Sequence, residues 1–597
     1  MPYLSPPLLA ILLAPTLTAA DFFIDAEAGD DNRDGTSATT AFKHSPGDPE
    51  ATGNAATRSP AAGDRIRFKG GVIYPGGLVV AWSGAADKPV IIDGNTDGSF
   101  GKGRAICDGS RPVTGWTRCA NAAEAGGNDH FQHLWKAKLP AGSTALGANL
   151  LQNGRTLCLA QYPTPTDYNF TDRWKEYVPT TAGQLKITSA THPILSELGG
   201  ERLVGCYIQA YRSTNRVSMR KITAWDAATG GVSFDKLETE PYKDRGAIAV
   251  VNSAHSKVLD APGEYVVFES EKDGPTVLLW PLDDKDPNTT GVTTAKMDIM
   301  FRLAYKAHDV HIVGFHIRNY QYGITNYVKG HWNNDEDRNA RIRIANNDFE
   351  RIRSTTNDRT AACYLIQAED SHIEDNIVRD TYRARGFCLH TAWRCSIRRN
   401  TLTNIFGGPI TFFITSASEI VGNRIGDSPA THTNGITVYE KSKDILVADN
   451  TVWNSNVAMT CENTENVIIR GNAFDSQAQS CQPLSFWHAV SGDVLVENNI
   501  LLGGGDTASG FTIAGLNDKS GATFANMRTV VRDNIMTGPM LMVMSGKPWT
   551  NKVTAESNIY LATPTSYTLG TKERVESDLG KLVGGIPEHR YLRLGPK

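Results

Sequence analysis

Short runs that alternate apolar and polar residues recur along the second half of the chain, as in GITVYE from Gly435 and LSFWHA from Leu484. Their period is two, the period of strands, and no stretch there carries the 3.6-residue period of an amphipathic helix. After each run comes one phrase: an aliphatic residue, two variable residues, Asn, one more residue and usually another apolar one. It reads IANNDF, IEDNIV, IRRNTL, IVGNRI, VADNTV, IRGNAF, VENNIL, VRDNIM and AESNIY between Ile344 and Tyr560. The asparagines are Asn347, Asn376, Asn400, Asn423, Asn450, Asn472, Asn499, Asn534 and Asn558, at spacings of 29, 24, 23, 27, 22, 27, 35 and 24 residues. A β-type repeat in the twenties with elastic loops predicts a solenoid whose turns stack in parallel, strand on equivalent strand. Asn at a fixed bend suits a left-handed backbone and can pair its amide with the Asn one turn above. The predicted fold class is all-β: a right-handed parallel β-helix with an internal Asn ladder.

The phrase is missing before residue 299, and the pattern there divides in two. Strand-like runs at Phe22–Ile24, Ile66–Phe68, Leu78–Val80 and Val90–Ile92, broken by Gly and Asp, read as opening turns of the same helix. From 107 to 298, RLVGCYIQAYR, GVSFD, YVVFES and TVLLWPL form strands without the Asn period, which predicts an inserted β-barrel or sandwich. The organisation expected is residues 1–20 a signal peptide, 21–106 the first turns, 107–298 the insert, 299–562 the main β-helix and 563–597 a cap or tail. The signal rests on apolar Leu8 to Leu13 and small residues Thr18, Ala19 and Ala20 before Asp21, and it predicts a secreted or periplasmic protein.

Composition narrows the partners. A net charge of −4 gives no electrostatic case for nucleic acid, no later segment is apolar enough for a membrane span, and the protein is expected to be a monomer. Nine cysteines suit an exported chain; Cys107 with Cys119, Cys363 with Cys388 and Cys461 with Cys481 could bridge, with free buried thiols the equal alternative. No cofactor is required. Asp30, Asn32 and Asp34 match the start of a calcium loop, but Ala41 stands where the loop needs Glu. A structural Ca2+ and a plain Asx turn both remain open there.

The order GDDNRDGTS, GDRIRFKGG, WSGAADKPVIIDG, then LDAPGEYVVFE and LLWPLDDKDP, then VHIVGFHIRN resembles exported bacterial carbohydrate-active proteins in which a β-barrel is inserted into a parallel β-helix. In layout it is similar to glycoside hydrolase families 110 and 141. The resemblance covers most of the chain and implies the fold and a saccharide substrate; it carries over no catalytic residue.

Candidate chemistry comes from aligning turns, since equivalent positions stack about 4.8 Å apart. Taking Ile324, Phe387, Ile410, Ile436, Val457 and Leu484 as the origin of each strand, the outward position three along reads Tyr327, His390, Phe413, Tyr439, Thr460 and Trp487. A column of rings facing outward predicts a saccharide groove, or else a surface covered by a loop or by the insert. Glu440 follows Tyr439, Glu462 lies near the equivalent place one turn on, and His488 follows Trp487. Adjacent turns would give the carboxylate spacing of a retaining glycosidase, and a skipped turn that of an inverting one. His432 and His390 are candidate proton carriers. Tyr382, Arg383 and Arg385 could bind an acidic or sulfated sugar, unless the arginines merely pair with Asp380 and Glu369.

Three functions follow. A secreted glycoside hydrolase uses Glu440, Glu462, His432 and His390 as catalytic groups, with Tyr382, Arg383, Arg385, Phe413, Tyr439, Trp487 and His488 binding a polysaccharide or oligosaccharide. A polysaccharide lyase neutralises a uronate with the arginines. A non-catalytic adhesin-like protein binds glycan only.

Overall fold

The computed structural model describes residues 19–164, 178–179, 194–213, 216–234, 247–269, 274–295, 299–326, 338–353, 360–428, 433–479, 481–504, 511–515, 528–537, 540–544, 553–561 and 574–575. It is a right-handed parallel β-helix with a β domain inserted after its first turns. The proposed leader, His432 and Tyr327 lie outside the described residues.

Each turn carries up to three strands, and each strand pairs in parallel with its counterpart on the next turn. One sheet precedes the Asn phrase, as in Ser396–Arg398 on Ser416–Val421. A second follows it and runs through 13 strands from Ile73–Tyr74 to Arg574–Val575. The third stacks Tyr322–Thr325, Ala361–Ile366, Arg385–His390, Ile410–Phe413 and Ile436–Tyr439. The first and third sheets fuse where Met459–Arg470 and Leu484–Glu497 run unbroken through both. Alternate side chains of all three point inward and make one continuous core from Phe22 to Tyr560, with Phe349 and Phe387 meeting edge to face at 6.2 Å.

The asparagines form the predicted ladder. Asn400 donates its backbone N–H and its Nδ2 to Oδ1 of Asn423, both at 3.0 Å, and Nδ2 also donates to the Ile373 carbonyl at 2.9 Å. The same pattern links Asn347 through Asn376, Asn450, Asn472, Asn499 and Asn534 to Asn558. One local expectation is corrected. The left-handed backbone belongs to the residue before each ladder Asn, namely Asn346, Asp375, Arg399, Gly422, Asp449, Gly471, Asn498, Asp533 and Ser557. That residue makes the bend, which frees the Asn side chain to turn inward; non-glycine residues accept the conformation at seven of these nine stations, all but Gly422 and Gly471, because the ladder bonds hold it.

The insert departs after Ile106–Asp108 and returns at Ile299–Leu303, both of which are strands of the helix. Between them lie sheets of four, five and six strands, paired almost wholly antiparallel. The strand Tyr207–Ser213 sends Ile208 and Ala210 into one apolar cluster and Tyr207 into another, so that sheet is covered on both faces.

All nine cysteines are free thiols. Cys363 and Cys388 sit on neighbouring strands but on opposite faces, Cys363 in the helix core and Cys388 in an outer cluster with Tyr364. A bridge there would have to pass through the sheet. At the N-terminal loop, Asp30 Oδ1 accepts from the N–H of Asn32, and Asp34 Oδ1 accepts from Thr36 N and from Thr40 Oγ1. These are Asx turns, and among the described residues no group of three His, Cys, Asp or Glu side chains is placed to hold a metal.

Candidate functional site: a ring-lined face of the third sheet

Cross-turn register decides the columns. Ile366 pairs with His390, His390 with Phe413, Phe413 with Tyr439, Tyr439 with Glu462, Glu462 with Trp487 and Trp487 with Ala514. The expected column is therefore right at His390, Phe413, Tyr439 and Trp487 and wrong at Thr460. The strand on that turn opens at Met459, not Val457, and a two-residue slip puts Glu462 among the rings. The turn of Ala361–Ile366, absent from the sequence alignment, contributes Ile366.

The ring edges touch. His390 and Phe413 have centroids 5.9 Å apart and tilted at 44°, and Phe413 and Tyr439 are 5.8 Å apart at 63°. His390, Phe413, Tyr439 and Glu462 are each half-buried. The Arg385 guanidinium lies over the Phe413 ring at 5.3 Å, a cation–π contact, and no ion pair to Arg385 occurs among the described residues. Asn434 Nδ2 donates to Tyr439 Oη at 3.4 Å. Burial first, and then the negative charge of Glu462, push the Tyr439 phenol well above its ordinary value. Tyr439 is thus a neutral hydroxyl next to a carboxylate.

Glu440 sits one residue beyond this column. Its backbone N–H donates to the Glu462 carbonyl at 3.1 Å, and its own counterpart one turn on is Asn463, since the next N–H, of Lys441, donates to the Asn463 carbonyl. Glu440 and Glu462 are on adjacent turns, offset by one residue, with Glu440 exposed and Glu462 half-buried. Glu440 has a left-handed backbone, as do Gln367, Thr391, Ile414 and Asn463 at the same bend. Among these Ile414 was not foreseen: a β-branched residue at φ +50° that is also 41% exposed. Left-handed backbone is costly for such a side chain, and an exposed apolar one beside Phe413 extends the apolar surface of the face.

Beneath the rings runs a second outward column that sequence reading missed: Thr411, Thr437, Thr460 and Ser485, stacked turn on turn and buried. Its only sequence signal is a hydroxyl two residues before each ring position. Among the described residues, Thr460 Oγ1 has no hydrogen-bond partner. Trp487 and His488 hold their strand positions in Leu484–Glu497.

Two expected binding residues stand elsewhere. Arg383 is buried at the seam with the insert, where Nη2 donates to Gln209 Oε1 at 3.1 Å, and Tyr382 lies under the same guanidinium at 5.7 Å. Only Ala384 separates Arg383 from Arg385, and the left-handed backbone of Arg383 turns the chain between them. Trp393, by contrast, is exposed and flanked by Arg394 at 4.4 Å and Arg338 at 5.7 Å.

A parallel β-helix with an antiparallel insert and a ring-and-carboxylate face defines the class of molecule. Residues 269–508 match the family model described as NosD, periplasmic copper-binding protein. Among solved structures, the chain is similar to one described as a glycoside hydrolase, with a TM-score of 0.54, 12% identity, 96% of this chain covered and 100% of that one. It is also similar to the complex of XylC with xylose, at a TM-score of 0.50 and 12% identity over 93% of this chain and 86% of that one. At this identity the likeness is one of fold. No curated protein matches the chain by sequence.

Proposed function

We propose that the chain is an exported glycoside hydrolase whose saccharide lies across the third sheet. The observation that carries this reading is the position of Glu462, set in register between Tyr439 and Trp487 and one turn from Glu440. Pyranose rings present flat C–H faces, which pack on Phe413 and Tyr439, while Tyr439, Asn434 and His390 supply hydrogen-bonding groups.

Equivalent backbone positions on adjacent turns stand about 4.8 Å apart, and this reading takes Glu440 and Glu462 as the pair that a retaining glycosidase holds at roughly 5–5.5 Å. In this reading Glu462, half-buried beside a neutral phenol, protonates the leaving oxygen. Glu440, open to solvent, attacks the anomeric carbon. The glycosyl–enzyme ester is then hydrolysed by water activated by Glu462. His390 orients, and His432 remains a candidate proton carrier. The overall fold shared with a structure described as a glycoside hydrolase supports this class, and the family description supports a periplasmic or secreted location. No helix among the described residues is long and apolar enough to cross a membrane. The copper in that family's description finds no matching ligand set among the described residues, and no step is drawn through it.

Arg385 favours a second reading. A guanidinium over Phe413 without an ion pair among the described residues is poised for an anionic sugar, which suits an acidic or sulfated substrate or, with a uronate, β-elimination by a lyase. Incubating the protein with neutral, uronate and sulfated glycans, and following reducing ends together with the ultraviolet absorbance of a new C=C bond, separates the two. Reducing ends without absorbance support hydrolysis; absorbance overturns it in favour of the lyase, and neither product leaves a glycan binder.

A further inference from the structure

Where the insert sits on the helix, Arg353 is enclosed almost completely, with 2% of its surface exposed. Its backbone is fixed: the N–H donates to the Tyr320 carbonyl at 3.0 Å, and the residue bridges in parallel to Tyr382 on the next turn. Its guanidinium is poorly satisfied. Nη1 reaches the Asn149 carbonyl of the insert at 3.5 Å, the outer limit of a hydrogen bond, the Tyr382 ring lies 5.9 Å away, and Nε has no partner. Among the described residues, the groups that act on its charge are Tyr265, Tyr382 and Cys158, none of them a carboxylate. A buried cation left in this state costs several kcal/mol. Arg353 also lines a cavity of about 40 Å³ bounded by Asn149, Gln209 and Tyr265 of the insert and by Tyr382 and Arg383 of the helix.

We propose that a halide ion, chloride under ordinary conditions, occupies this cavity against the Arg353 guanidinium and ties the insert to the β-helix. The cavity is small, with room for a monatomic ion beside the guanidinium. A water there would satisfy Nε but leave the charge unbalanced, because the cavity is also lined by the second guanidinium of Arg383 and by no carboxylate among the described residues. A monatomic anion needs only the donor that is present. Arg353 would then be paired as buried charges ordinarily are.

The test uses the full chain. Crystals soaked in sodium bromide give an anomalous peak within contact distance of Arg353 Nε. In solution, Tm rises by roughly 1 °C per tenfold chloride above saturation, measured against gluconate at equal ionic strength. Arg353→Met abolishes that rise, and Arg353→Lys, which keeps the charge without the fork, weakens it. A peak without the chloride-linked rise means binding at crystal concentration only and overturns the proposal, as does a rise with no peak or an equal rise in wild type and Arg353→Met. If neither variant folds, the bromide map and the wild-type titration still decide.

Discussion

Tyr439 and Glu462 are cross-turn partners on the third sheet, the phenol of one turn directly beside the carboxylate of the next. The pairing joins a neutral hydroxyl, a carboxylate and the Phe413 ring in one face, and the leading predictions follow from it.

Glu462→Gln keeps the shape and removes the acid. It lowers kcat by about 10²–10⁴ with little change in KM, as loss of a general acid does. Glu465→Gln, three residues on and exposed at the next bend, leaves turnover unchanged. Equal turnover by wild type and Glu462→Gln rules the assignment out.

Phe413→Ala removes the ring that touches His390, Tyr439 and Arg385 at once. The lost stacking is worth about 1 kcal/mol, so kcat/KM falls about fivefold to tenfold, mainly through KM. Steady-state kinetics on an accepted oligosaccharide reads it.

Arg385→Met separates acidic from neutral substrates. Activity on a uronate or sulfated glycan drops tenfold or more, while activity on a neutral one moves by less than threefold. A uniform loss on both would make Arg385 a structural support for Phe413 and nothing more.

Glu264 gives a pH signature independent of catalysis. It is fully buried, Oε2 accepts from the N–H groups of Asp260 and Ala261, Oε1 has no partner, and burial raises its pKa to about 8. The native state keeps this proton where the unfolded chain has already lost it. The stability from this group is full below the ordinary glutamate value of 4.5 and is lost as pH rises through about 8, at roughly 1.4 kcal/mol per unit. Glu264→Gln removes that slope, so the difference in unfolding free energy between variant and wild type grows from pH 5 to pH 8; parallel curves would contradict it.

Asn423→Ala strands the backbone N–H and Nδ2 of Asn400 in the core, since both donate to Asn423 Oδ1. Urea denaturation shows a loss of about 2–4 kcal/mol, with the m-value unchanged if unfolding stays cooperative.

The fold was legible because its cause is periodic. Each Asn is identified by its neighbours, and a ladder of buried amides can be satisfied only if every turn keeps its station. The site was legible only in part. Counting from strand starts reaches Phe413 and Tyr439 correctly, because the loop between their turns leaves both strands clearly bounded. It fails at Met459–Arg470, where the apolar run Val457, Ala458, Met459 leaves the start of the strand unmarked. That failure put Thr460 in the ring column and left Glu462, named as a candidate, outside it. Arg383 was misplaced for another reason: an inserted domain covers the helix at a distance in sequence that no local pattern encodes, and Gln209 is its partner. Ile414 went unnoticed because strain is a property of φ, not of residue type.

The central claim is that Glu462, among the rings of the third sheet, does chemistry on a glycosidic bond. The most direct test is mass spectrometry of the protein after brief acid quenching of a reaction with an accepted glycan bearing a good leaving group. A retaining mechanism adds one glycosyl residue to Glu440 in the wild type, and Glu440→Gln does not form the adduct. Turnover that persists in both Glu440→Gln and Glu462→Gln would contradict the account.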